Sequence, residues 1–95
     1  MKVLALYRPQ SEHERKITDF QRDFRMRTGH EITLISLDSL DGDNTARLYD
    51  ITQYPAILAV DDEGRMQKIW QGDDLPLINE VSFYTSTAAA GSGAL

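Results

Sequence analysis

The chain of 95 residues contains no cysteine. It can form no disulfide, it offers no thiolate ligand to a metal, and it has no thiol nucleophile. It also has only two histidines, His13 and His30, which lie too far apart in sequence to suggest a metal site. The residues therefore predict no metal and no cofactor.

Long apolar runs are missing as well. The longest, Val3 to Tyr7 and Ala56 to Val60, are far shorter than the roughly 20 residues that cross a bilayer, so no membrane association is expected. No basic segment followed by a long apolar stretch opens the sequence, so no signal peptide is evident. Together with the absence of cysteine, this favours a cytoplasmic protein.

The net charge of −5 is unevenly distributed. Residues 1–30 hold seven Lys/Arg and four Asp/Glu, whereas residues 31–95 hold three Lys/Arg and eleven Asp/Glu. An acidic total disfavours nucleic acid as a partner. The same asymmetry is typical of a solvated surface that keeps a small domain soluble.

Apolar periodicity and turn residues predict one α/β domain over residues 1–84 and a flexible C-terminal tail over residues 85–95. A helix between two apolar strands favours a right-handed βαβ unit with parallel strands, and the acidic turn before Gly64 favours an antiparallel hairpin. The predicted order is β-α-β-α-β-β-α: strands 2–7, 31–37, 55–60 and 65–70, with helices from Ser11 to about Gly29, from Asp43 or Asn44 to about Asp50, and around Pro76 to about Tyr84.

Three helix starts are predicted from capping residues. Ser11 and Glu14 have the spacing of a capping box, in which each side chain satisfies the other residue's backbone N–H. Asp43 or Asn44 is expected to cap the second helix, and Asp73 or Asp74 the last one, with Pro76 in its first turn.

The most specific local pattern is Tyr54-Pro55 at the start of the apolar strand Ala56 to Val60. A proline has no N–H for the sheet ladder, and cis peptide bonds in folded proteins are almost all X-Pro bonds, so we expect Tyr54-Pro55 to be cis. The succession of helix end, cis-proline and hairpin resembles the thioredoxin family. This resemblance implies a minimal thioredoxin-like fold: a four-stranded mixed sheet with helices on both faces.

The resemblance also places the family's site on this sequence. Ser11 and Glu14 match the two cysteines of its redox motif, and Ala5 matches the buried aspartate that many members have. A dithiol reaction is therefore impossible, and we expect no oxidoreductase activity and no other enzymatic activity. The scaffold that remains implies a binding groove for an extended peptide or protein partner, with the residues Tyr7, Ser11, Gln53, Tyr54 and Pro55.

Other functions remain open at this stage. A Tyr7 or Ser11 hydroxyl could stabilise the thiolate of glutathione or a similar ligand, as in the glutathione transferases. The chain could instead be a structural subunit that dimerises through an edge strand, although we expect a monomer or weak dimer. Ser11 and His13 are too close in sequence to face each other on a helix, so they predict no catalytic pair. Trp70 is expected to pack against the last helix.

Overall fold

A computed structural model describes the backbone of residues 1–93 and the side chains of residues 1–85. The elements follow the predicted order, with four strands and three helices: β1 (Lys2–Tyr7), α1 (Glu14–Thr28), β2 (Ile32–Ser36), α2 (Leu40–Leu48), β3 (Ala56–Val60), β4 (Met66–Gln71) and α3 (Ile78–Gly93). Among the described residues, no helix has the length and apolar character needed to cross a membrane.

The strands form one mixed sheet in the order β2-β1-β3-β4. β1 and β2 are parallel, which confirms the βαβ unit. β3 is antiparallel to both β1 and β4, so β3 and β4 form the predicted hairpin. Consequently β1 and β3 are the central strands, and β2 and β4 are the edges.

Alternate residues of the strands supply two apolar clusters, one on each face of the sheet. Val3 and Ala5 of β1 pack with Ile17 and Phe24 of α1 and with Val81 of α3. On the opposite face, Leu6 packs with Leu58 of β3, with Ile51, and with the half-buried Ala46 of α2. Helices therefore cover both faces, as the resemblance implies, because the continuous apolar runs of the central strands place apolar side chains on both sides of the sheet.

The predicted capping box at Ser11 is wrong. α1 begins at Glu14, its N-cap residue is His13, and no side chain caps it. The hydroxyl of Ser11 donates to the carbonyl of Arg8 at 2.6 Å, and Glu14 Oε1 accepts from the N–H of Gln10 at 2.8 Å. Each side chain thus bonds to the backbone of the preceding loop rather than to the backbone N–H of the other residue, because residues 11–13 form a turn before the helix.

The second helix starts earlier than predicted, with Ser39 as the N-cap instead of Asp43 or Asn44. Ser39 Oγ accepts from the N–H of Gly42 at 3.0 Å. Asp43 lies within the first turn, where its carboxylate pairs with Arg47 at 3.0 Å. Since Asp and Asn are also compatible with a first turn, composition alone did not separate these positions.

The last helix differs at both ends from the prediction. It begins at Ile78, and its first turn is capped by Glu80, whose Oε1 accepts from the N–H of Leu77 at 2.9 Å, rather than by Asp73 or Asp74. It continues to Gly93, whereas the sequence places its end near Tyr84 and a tail over residues 85–95. Alanine, the strongest helix former, is frequent in this stretch. Residues 94–95 of the predicted tail lie outside the described residues.

The turn between β3 and β4 is organised by the carboxylate of Asp61. Its Oδ1 accepts from the N–H groups of Arg65 at 2.9 Å and Glu63 at 3.0 Å, and its Oδ2 accepts from Arg65 Nε and Gln67 Nε2 at 3.1 Å each. The Arg65 N–H is the largest influence on the pKa of Asp61. With the Glu63 N–H and the Arg65 charge, it holds this pKa below the usual 3.8, against the opposing effect of partial burial.

We expect this lowered pKa to make folding stability depend on acid pH. The folded state takes up a proton on Asp61 less readily than the unfolded chain. The stabilisation is therefore present above the ordinary pKa of 3.8 and is lost as the pH falls through the lower folded pKa. We expect the free energy of unfolding, measured with urea at a series of acid pH values, to fall less steeply with decreasing pH for Asp61→Asn than for wild type. Asp23→Asn, an exposed change on α1, is the matched control; an Asp61→Asn curve that parallels wild type would contradict the prediction.

Candidate functional site

Two of the site residues that the sequence predicts, Tyr7 and Pro55, lie next to each other where β1 ends beside the start of β3. Leu6 pairs with Ala56 in the antiparallel register, so the following Tyr7 comes opposite the preceding Pro55. The loop that contains Ser11 follows directly from Tyr7. We use the name proline groove for the five predicted binding residues, Tyr7, Ser11, Gln53, Tyr54 and Pro55.

The segment before β3 is held in place by the end of β4. The Tyr54-Pro55 peptide bond is cis, and Pro55 is buried. Gln71 Oε1 accepts from the N–H groups of Thr52 and Gln53, both at 3.1 Å, and the N–H of Gly72 donates to the Pro55 carbonyl at 3.0 Å. The side chain of one strand residue therefore fixes the backbone of an exposed segment.

Tyr54 lies between these anchors, and its own main chain is left free. No hydrogen bond in the described part of the chain uses its N–H or its C=O. Its hydroxyl donates to the carbonyl of Ile51 at 3.0 Å. The residue is thus fixed by its side chain and its neighbours, while its backbone donor and acceptor stay available.

The two tyrosines of the groove do not meet. The Tyr7 ring packs against the cluster of Val3 and Ala5, and the half-buried Tyr54 ring packs against the cluster of Leu6 and Ile51 on the opposite face. The Tyr54 ring therefore covers the core, and what this residue offers the groove is its backbone. The sequence did not reveal this side-chain direction, because it depends on how the chain enters β3.

The loop between β1 and α1 is stabilised by its own side chains. The N–H of Arg8 donates to His13 Nε2 at 3.0 Å, Ser11 bonds to the Arg8 carbonyl, and Gln10 adopts a positive φ of 61°. The hydroxyl proton of Ser11 is thus already in use, which removes one of the two hydroxyls considered for a thiolate ligand. Sequence reasoning missed the role of His13, since a histidine that accepts from a backbone N–H has no spacing signature.

The two positions that the resemblance assigns to the redox motif, Ser11 and Glu14, lie within one turn. The N–H of Glu14 donates to the Ser11 carbonyl at 3.3 Å, so the two residues close a turn before α1. They carry a hydroxyl and a carboxylate, and the fully buried Ala5 offers no group that could move a proton. This arrangement contains no group that can exchange with a disulfide.

A polar depression of about 210 Å³ adjoins the groove at the start of α1 and is lined by Glu12, His13, Lys16 and Asp73. Lys16 Nζ donates to the Asp73 carbonyl at 3.0 Å and so ties α1 to the loop after β4. Among the side chains that the structure describes, no cluster of three or more His, Cys, Asp or Glu could hold a metal ion. Any ligand in this region would meet charged side chains of both signs.

Comparisons with known proteins identify the fold. No family model and no curated protein matches the sequence. Among solved structures, thioredoxin 1 from Thermosipho africanus TCF52B is similar over 98% of this chain and 99% of its own, with a TM-score of 0.66 and 13% identity. A thioredoxin from Thermus thermophilus is similar over 97% of this chain and 76% of its own, with a TM-score of 0.59 and 13% identity. The chain thus has a thioredoxin-like fold without cysteine, as predicted from the sequence.

Proposed function

We propose that this protein is a non-catalytic binding module whose proline groove holds an extended peptide or a protein segment. The peptide would lie along Gln53, Tyr54 and Pro55, next to Tyr7 and Ser11. Recognition would be by strand addition, in which main-chain hydrogen bonds supply affinity and nearby side chains supply specificity.

The observation that carries this proposal is the free main chain of Tyr54 between fixed neighbours. Thr52 and Gln53 are anchored by Gln71, and the Pro55 carbonyl is bonded to Gly72. An extended chain alongside would find a donor and an acceptor already in position. Because this segment needs no reordering, the entropic cost of binding would be small.

The surroundings of the groove indicate the character of the ligand. Gln53 is exposed, and the adjoining depression carries Glu12, His13, Lys16 and Asp73, with charges of both signs. Tyr7 is half-buried, so it offers only limited apolar contact. These features favour polar peptide side chains and moderate affinity that comes mainly from the backbone.

The chemistry of the chain supports binding rather than thioredoxin-type catalysis. That reaction needs two thiols, and the sequence has none. The Ser11 hydroxyl donates to the Arg8 carbonyl and His13 Nε2 accepts from the Arg8 N–H, so these two side chains do not act on each other as nucleophile and base.

The experiment is selection of binders from a displayed library of random peptides, followed by NMR of the bound protein. We expect the largest amide shifts at Gln53 and Tyr54, and slower hydrogen exchange of the Tyr54 N–H in the complex. Gln71→Ala should weaken binding about five- to tenfold, because it removes the acceptor that orders two N–H groups. Gln67→Ala, on the same strand, should leave the affinity unchanged. Peptides that shift residues elsewhere, or that bind Gln71→Ala as well as wild type, would refute the proposal.

A further inference from the structure

The edge strand β4 presents an unpaired side to solvent. It lies at one end of the sheet and pairs only with β3 within the described residues. The register shifts near Val60, but from Lys68 to Gln71 the pairing with β3 is regular. A regular edge of this kind is a template for pairing with another strand.

Beside this edge, β4 and α3 enclose an open aromatic groove of about 260 Å³ lined by Lys68, Trp70, Glu80, Phe83 and Tyr84. We call it the β4–α3 groove. Trp70 and Phe83 each make an edge-to-face contact with Tyr84, with ring centroids 5.6 Å and 5.2 Å apart. The side chain of Trp70 is only half-buried, and Phe83 is 61% exposed. The expected packing of Trp70 against the last helix is present, yet it leaves apolar surface uncovered.

The β4–α3 groove carries one positive and one negative side chain. Lys68 stands on the strand and Glu80 on the helix, and neither forms an ion pair with a described residue. A strongly charged partner of either sign would meet one like charge. A surface with one charge of each sign is instead complementary to itself under two-fold rotation, which brings each lysine toward the other copy's glutamate.

We propose that the β4–α3 groove is the interface of a homodimer, in which β4 pairs antiparallel with β4 of a second copy. The pairing continues the sheet across the two-fold axis, covers Phe83 and Trp70, and places Lys68 of each copy next to Glu80 of the other. A lysine on an edge strand usually discourages such pairing. Here the partner's carboxylate supplies the counter-charge that the lysine lacks in the single chain.

Sedimentation equilibrium over a range of protein concentrations tests this proposal. We expect wild type to shift from the mass of one chain to that of two as concentration rises. Lys68→Glu and Glu80→Lys, taken singly, should each weaken the dimer about tenfold or more, since like charges then face each other. An equimolar mixture of the two variants should regain association, because each lysine now meets a glutamate across the interface.

A second pair of variants does not depend on the cap that Glu80 provides to α3. Phe83→Ser should weaken association, whereas Met26→Ser, an equally drastic change at a residue of α1 that is 77% exposed, should not. The fluorescence of Trp70, the only tryptophan, gives a second readout on dilution. A chain that stays monomeric at every concentration overturns the proposal. A dimer that remains intact in both Phe83→Ser and Lys68→Glu also overturns the proposal.

Discussion

Gly42→Ala is expected to destabilise the protein by about 2–3 kcal/mol, or to prevent folding altogether. Gly42 is buried in α2, and a Cβ built there would overlap the carbonyl oxygen of Ser36 and lie 2.8 Å from its carbon. It would also lie 3.0 Å from the Cα of Leu37. Because these are backbone atoms, no change of side-chain rotamer can relieve the overlap. α2 would have to move away from the end of β2.

Helix propensity alone predicts the opposite sign for this change. Alanine is favoured over glycine inside a helix by about 1 kcal/mol, so an isolated α2 would gain stability. The steric overlap outweighs this gain. The measurement is urea unfolding of Gly42→Ala beside Asn44→Ala, which changes an exposed residue of the same helix and should be neutral or slightly stabilising. Equal midpoints for Gly42→Ala and wild type would show that α2 does not approach β2 this closely.

The double change Ser11→Cys with Glu14→Cys is expected to create reversible dithiol chemistry in a chain that has none. The 3.3 Å hydrogen bond between the Glu14 N–H and the Ser11 carbonyl closes a turn, and the ends of such a turn lie within about 7 Å, close to the span of a disulfide. The thiol at residue 11 lies two residues before the N-cap residue His13, so we expect the N-terminus of α1 to lower its pKa only slightly below the roughly 8.5 of a free cysteine.

Two features of the structure limit the stability and the reductase activity that we expect of this double variant. Both substitutions remove a hydrogen bond of the loop, to the Arg8 carbonyl and from the Gln10 N–H, at about 1 kcal/mol each. Reductase activity should be modest, since Ala5 supplies no proton acceptor. The measurements are thiol titration, the reduction potential and insulin reduction. Cysteines in place of Arg22 and Arg25 are the control, with the same spacing inside α1 but away from its start. If the pair at residues 11 and 14 never oxidises in the folded protein, these positions do not correspond to the redox site.

The sequence alone determined the framework of this protein. The continuous apolar runs of β1 and β3 were enough to predict buried strands, because a strand that is covered on both faces has apolar residues at successive positions. The order of elements and the parallel and antiparallel pairings followed from short connections with few alternatives. The absence of cysteine excluded dithiol chemistry regardless of the fold.

Only the tertiary structure decided the details of the candidate site. Gln71 orders Thr52 and Gln53 from a different strand, and the rings of Tyr7 and Tyr54 pack on opposite faces of the sheet. The helix starts were misjudged for a related reason: several Ser, Asp and Asn residues had suitable chemistry, and the path of the preceding loop selected Ser39. Such choices depend on contacts between residues distant in sequence or on the exact direction of the backbone. A local sequence pattern shows which capping and hydrogen-bonding groups are available, but not which of them come into contact in the folded chain.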